Sequence, residues 1–135
     1  MGSTGSRSTE TEKVKRNIIS WFEIPAINFR QAVSFYNQIF GFEMESVESN
    51  EHSMAYFPNS GGMGGAIVCG PGSHPGEAGP LIYLNAGSDL SEVLNKVPEA
   101  GGRIVMNKTL INEESGYFAI MIDSEGNKIA LHSSN

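Results

Sequence analysis

At 135 residues and 14.5 kDa the chain has the size of one compact domain, which argues against an enzyme with separate cofactor and substrate lobes. Its 39% apolar and 18% charged residues can form a core, and a mean hydropathy near zero points away from disordered and membrane proteins alike. Residues 17–135 hold five bases against thirteen acids, a net of −8, so the body repels phosphate and nucleic acid is not an expected partner.

The longest apolar run, residues 118–122, falls far short of the roughly 20 residues a bilayer span requires, so no membrane association is expected. Cys69 is the single cysteine and forms no intrachain disulfide; with no signal-peptide pattern at the start, the expected location is cytoplasmic. Residues 1–16 are polar, aperiodic and rich in Gly, Ser and Thr, and read as a disordered segment. The Gly2 to Ser6 myristoylation pattern and the sequon at Asn107 are short matches without supporting context.

Residues 18–25 are β-branched or aromatic and end at a proline, which predicts a strand. A helix follows, capped by Asn28, with Ala32, Val33, Tyr36, Ile39 and Phe40 at helical spacing and Gly41 as its stop. Strands are predicted at 42–47, 54–57 and 66–69. The glycine cluster 61–65 lacks the Gly-Lys-Ser/Thr ending and the strand-to-helix setting of a phosphate loop, and reads as a hairpin turn. Residues 70–79, rich in Gly and Pro, form the main internal joint. The pattern then restarts with a strand at 81–84 and a helix capped by Ser88 or Asp89. That helix carries Leu90, Val93, Leu94 and Val97, is distorted at Pro98 and ends at Gly101-Gly102. Strands at 103–106, 117–122 and 128–132 complete the chain.

An offset of 61 residues superposes Gly41 on Gly102, Tyr56 on Tyr117, Phe57 on Phe118 and Gly65 on Gly126, with the caps Asn28 and Asp89 also coinciding. Each half reads β-α-β-β-β. The predicted fold class is α+β, with two tandem βαβββ modules, 17–70 and 79–135, forming a cupped mixed sheet around a cavity.

The stretch Ile19-Ser-Trp-Phe-Glu-Ile-Pro25, then Arg30 to Phe42 with Phe35-Tyr36 and Gly41, resembles the start of the vicinal oxygen chelate superfamily, which includes glyoxalase I, bleomycin-resistance proteins and extradiol dioxygenases. The ending Asp123 to His132 is similar to its terminal hairpin. The resemblance implies a cavity often completed by a second chain, hence a homodimer, and in catalytic members a divalent metal held by His, Glu or Gln. The implied ligand positions fall here on Trp21, Cys69, Ile82 and Ala130, of which only the thiol is a metal ligand, so neither metal nor other cofactor is expected.

Strand alternation places Glu23 on the face of Trp21, and His132 on that of Ala130, so the resemblance brings both into the cup. They are the candidate catalytic acid/base pair; a rearranged metal site on the two alone lacks a third ligand. His52 and His74 are read as solvated, and Cys69 as a small packed residue. The expected ligand-binding set is Trp21, Glu23, Cys69, Ile82, Leu84, Ala130 and His132. Three functions stand open. One is metal-free binding of a small planar or cationic molecule. The second is a metal-dependent or acid/base lyase, isomerase or dioxygenase, with classical glyoxalase I activity disfavoured. The third is a partner domain with a packed core.

Overall fold

The computed structural model describes residues 16–135; the segment expected to be disordered lies, except for Arg16, outside them. Module one comprises β1 (Trp21–Pro25), α1 (Phe29–Phe40), β2 (Glu45–Glu48), β3 (Ser53–Tyr56) and β4 (Gly64–Cys69). Module two comprises β5 (Ile82–Asn85), the short helices α2 (Ser91–Leu94) and α3 (Val97–Ala100), β6 (Arg103–Asn112), β7 (Gly116–Ile122) and β8 (Lys128–Ser133). Each module makes a four-stranded mixed sheet, ordered β1-β4-β3-β2 and β5-β8-β7-β6, with only the β1/β4 and β5/β8 pairs parallel. The α+β class and the two tandem modules are as expected.

Local chemistry explains the elements. The Asn28 side chain accepts the Gln31 N–H at 3.1 Å, and Gly41, at φ 71°, ends α1 in the left-handed conformation. Phe29, Ala32, Phe35, Tyr36 and Ile39 form its buried stripe, and the expected Val33 and Phe40 pack half-buried against the same core. The second helix is broken into two turns, because Pro98 has no N–H to give the Leu94 carbonyl.

Ahead of α2, the Asp89 carboxylate accepts the Ser91 N–H at 2.9 Å and the Lys108 ammonium at 3.0 Å. The backbone bond first, and Lys108 second, lower its pKa to about 2. Because the folded value is depressed, the stabilisation is complete above the ordinary carboxylate range and fades as pH falls toward 2. A carboxyl-detected NMR titration should place the Asp89 midpoint near 2, and Lys108→Met should raise it.

One core joins both modules: Ile24 and Ile67 pair laterally in the first sheet, Leu84 and Leu131 in the second, and all four meet α1 in a single cluster. The β7–β8 turn ties the modules together. Buried Tyr36 donates its hydroxyl to Asp123 Oδ2 at 2.7 Å, while Asp123 Oδ1 accepts the Glu125 and Asn127 N–H groups at 2.9 Å each. Glu125 Oε1 accepts the Ile27 and Asn28 N–H groups at 2.8 and 2.6 Å. Asn127 donates to the Pro25 carbonyl at 2.8 Å and accepts the Gly76 N–H at 3.0 Å. Burial, then the Asp123 carboxylate, pushes the Tyr36 hydroxyl pKa well above its usual value. Among the described residues no helix is long and apolar enough to cross a membrane.

Candidate functional site

Alternation divides each sheet into a face packed under helices and a face free of them. In module one the lateral register puts Trp21, Glu23 and Pro25 of β1 beside Gly64, Ala66 and Val68 of β4, with Met54 and Tyr56 of β3 next in line. All lie opposite the core residues Ile24, Ala55 and Ile67. In module two the helix-free face carries Tyr83 and Asn85 of β5, Ala130 and His132 of β8, and Phe118 and Ile120 of β7.

Trp21 is 44% exposed and its indole lies over Gly64, where a Cβ would approach Cζ3 to 2.9 Å. The indole N–H donates to Glu23 Oε2 at 3.2 Å, and its ring meets Tyr56 edge-on at 6.3 Å between centroids. An aromatic wall with a carboxylate fixed at its edge results. Beyond it, a cavity of about 490 Å³ is lined by Glu23, Pro25, His52, Met54, Val68 and His74. A smaller one of about 220 Å³ shares Glu23, Pro25 and His74 and continues to Ile82 and Lys128. Glu23 and His74 thus form the partition between two adjoining cavities.

Several expected positions move. The 61-residue offset does not hold in space. Ile24 corresponds to Leu84, 60 residues on, and Ile67 to Leu131, 64 residues on, as judged by equivalent lateral pairs in the core. Both true offsets differ from 61 by an odd number, and an odd slip in a strand exchanges its faces. Leu84 is therefore 7% exposed in the core rather than in the cup, and Ile82 points to the same helix side. Tyr83 and Asn85 take their places. Cys69 shares the parity of Ile67 and directs its thiol to the Ile27 carbonyl at 3.5 Å, while also bordering the larger cavity. Ala130 is on the helix-free face but fully buried.

Glu23 and His132 are not brought together. Glu23 bonds Trp21 and borders the cavities, whereas the His132 ring is hydrogen-bonded to the Ser115 carbonyl on the second sheet. Asn135 N–H bonds the Ser88 carbonyl at 3.0 Å, so the C-terminus that carries His132 is tied down. The imidazoles that accompany Glu23 around the larger cavity are His52 and His74, both exposed, as read from sequence. Tyr56 and Met54 were legible as alternating strand residues, but only the β3/β4 register assigns their face. His74 stands in a loop, where no periodic signal exists.

The family model for the glyoxalase/bleomycin resistance protein/dioxygenase superfamily matches residues 18–131. The chain belongs to this superfamily. No curated protein matches the sequence. Among solved structures, the fold is similar to a glyoxalase/bleomycin resistance protein from Albidiferax ferrireducens, at TM-score 0.64 and 16% identity, covering 87% of this chain and 98% of that one. It is similar to a hypothetical protein from S. aureus, at TM-score 0.61 and 17% identity over 90% of this chain and 98% of that one. Glyoxalase I from Zea mays matches at TM-score 0.60 and 14% identity over 84% of this chain and 42% of the maize chain. These likenesses concern the fold.

The metal implied by the catalytic members of the superfamily does not fit the residues present. Of the positions the resemblance implied, the Trp21 indole is a donor only, Ala130 has no ligating atom, and Ile82 and the Cys69 thiol turn to the helix side; the spatial counterparts of Trp21 and Ala130 are Leu81 and Ala66, which are equally without a ligating atom. Among the described residues no group of three or more His, Cys, Asp or Glu side chains is arranged to hold a metal ion.

Proposed function

We propose that this chain binds a small planar organic cation on the helix-free face of module one, without a catalytic metal. The observation that carries the reading is the Trp21 indole, laid over Gly64 and hydrogen-bonded to Glu23, with Tyr56 at its edge. A planar cation stacked on the exposed indole gains dispersion and cation–π attraction, and Glu23 supplies the opposite charge at the ring edge. The net −8 of residues 17–135 favours the same sign of ligand.

Trp21 is the sole tryptophan, so its fluorescence reports the site directly. N-methylquinolinium should quench it saturably, and Glu23→Gln should weaken binding about 10-fold, the worth of one charge-assisted contact. Trp21→Ala, followed by calorimetry, should weaken it further. Equal binding by neutral quinoline, or by both variants, would overturn the reading.

A second reading, acid/base catalysis, draws on one observation, the presence of His52 and His74 around the cavity that Glu23 borders. Deuterium wash-in at the α-carbon of a hydroxyketone, lost in Glu23→Gln, would support it. We also infer a homodimer, since Tyr83, 52% exposed, and Val47, 63% exposed, leave apolar surface for a second chain to cover. Sedimentation at micromolar concentration should show a dimer; a monomer would refute it.

A further inference from the structure

Four of the seven phenylalanines converge at one place outside the site described above. Phe22, Phe40, Phe42 and Phe57 line a cavity of about 280 Å³ where module one meets β5, and the exposed Met63 and Asn85 stand at its rim. Phe22 projects from the helix side of β1, the face opposite Trp21. The rings form a continuous aromatic lining. Phe40 and Phe42 are stacked at 5.3 Å with 9° between planes, Phe42 meets Phe57 edge-on at 6.1 Å, and Phe57 lies 5.4 Å from Phe22. All four are only half-buried, so ring surface is left for a further partner.

The lining determines what that partner is. Among the described residues no charged side chain borders the cavity, which selects a neutral molecule. Its volume exceeds the roughly 150 Å³ at which an apolar protein cavity accepts benzene, and an aromatic occupant can meet these rings edge-on or offset. Tyr83 and Asn85 are the polar side chains on the lining, and Asn85 is the one whose orientation is fixed. Its Oδ1 accepts the Gly87 N–H at 2.9 Å, which fixes the amide orientation and leaves the Nδ2 protons without a partner among the described residues. They are available to an acceptor on the ligand.

We propose that this cavity is a binding site for a neutral one-ring aromatic bearing an oxygen acceptor, of the phenol type. The ring packs against Phe42 and Phe57, and the oxygen accepts from Asn85 Nδ2. The site is independent of the cation site at Trp21.

Titrations of p-cresol and toluene, followed by ligand-observed saturation-transfer NMR, test it on the full chain. p-Cresol should bind saturably and about 10-fold tighter than toluene, the difference one hydrogen bond supplies. Asn85→Ala removes the amide donors without adding a carboxylate that would accept the p-cresol O–H, and should abolish that preference. Met63→Trp, at an exposed rim position compatible with folding, should fill the mouth and weaken p-cresol at least about 10-fold. Trp21→Ala should leave p-cresol binding unchanged, so this test and that of the cation site fail separately. Absence of saturable p-cresol binding, unchanged binding by Met63→Trp, or a retained preference in Asn85→Ala would each overturn the proposal.

Discussion

Asp123→Ala is expected to lower the free energy of unfolding by about 3 kcal/mol or more, since one buried donor left unpaired costs about 1–3 kcal/mol and several are left here. Asp123 is 3% exposed and accepts four hydrogen bonds, from the Tyr36 hydroxyl, the Asn127 amide and the Glu125 and Asn127 backbone N–H groups. Truncation would strand the Tyr36 hydroxyl and release the turn that holds Pro25. Urea titration measures the effect; a loss below about 1 kcal/mol, the net worth of a single ordinary bond, would show that the turn does not join the modules energetically.

Tyr36→Phe should cost less, about 1–2 kcal/mol, because Asn127 still satisfies Asp123 Oδ2. Its signature lies in alkali. The folded hydroxyl has a raised pKa, so the stability it confers is complete below the unfolded tyrosine value near 10 and is lost as pH rises toward the folded value. The gap between parent and Tyr36→Phe in melting temperature should therefore narrow above pH 10, where a constant gap would contradict the assignment.

The second large effect is expected at Gly65. A Cβ there would enter the Phe22 ring, which is itself packed against Phe57 and the core. Gly65 does not use a positive φ, so the requirement is steric. Gly65→Ala should cost about 2–3 kcal/mol as Phe22 is driven off its seat, at the upper end for overpacking. Gly64→Ala should instead disturb Trp21, whose Cζ3 would be 2.9 Å from the new methyl. An emission shift at Trp21 from Gly64→Ala, but not from Gly65→Ala, would confirm that the two adjacent glycines seat rings on opposite faces of one sheet.

Much of this architecture was written in local pattern. Asn28 and Gly41 marked the ends of α1 because capping chemistry is local, and β7 and β8 were found within a residue. β6 runs to Asn112 rather than stopping near Met106, since Asn107 and Lys108 interrupt the apolar pattern while register shifts keep the strand paired to β7. Gly64 and Gly65, read as turn residues, belong to β4, because what they accommodate is a ring from β1 that sequence proximity does not reveal. The site was less legible for a related reason. Trp21 and Glu23 share one strand and their common face follows from parity, whereas the placement of Leu84, Tyr83 and His132 relative to them depends on registers between strands. Relative to the 61-residue offset, one residue fewer before β5 and three more before β8 are each enough to exchange the faces.

The β7–β8 turn also breaks the symmetry of the duplication. Its counterpart in module one is held by Asn59, which bonds Gly61 and Gly62 within its own loop. Glu125, Asn127 and Ser124, by contrast, reach the β1–α1 corner of the other module. The two halves are thus a lock and a key rather than two equal partners. Severing the joint between them, at the exposed Gly72, would leave fragments that still carry this one-way complementarity. Expressed separately, they should recombine as an ordered pair, and two copies of module one should not substitute for it.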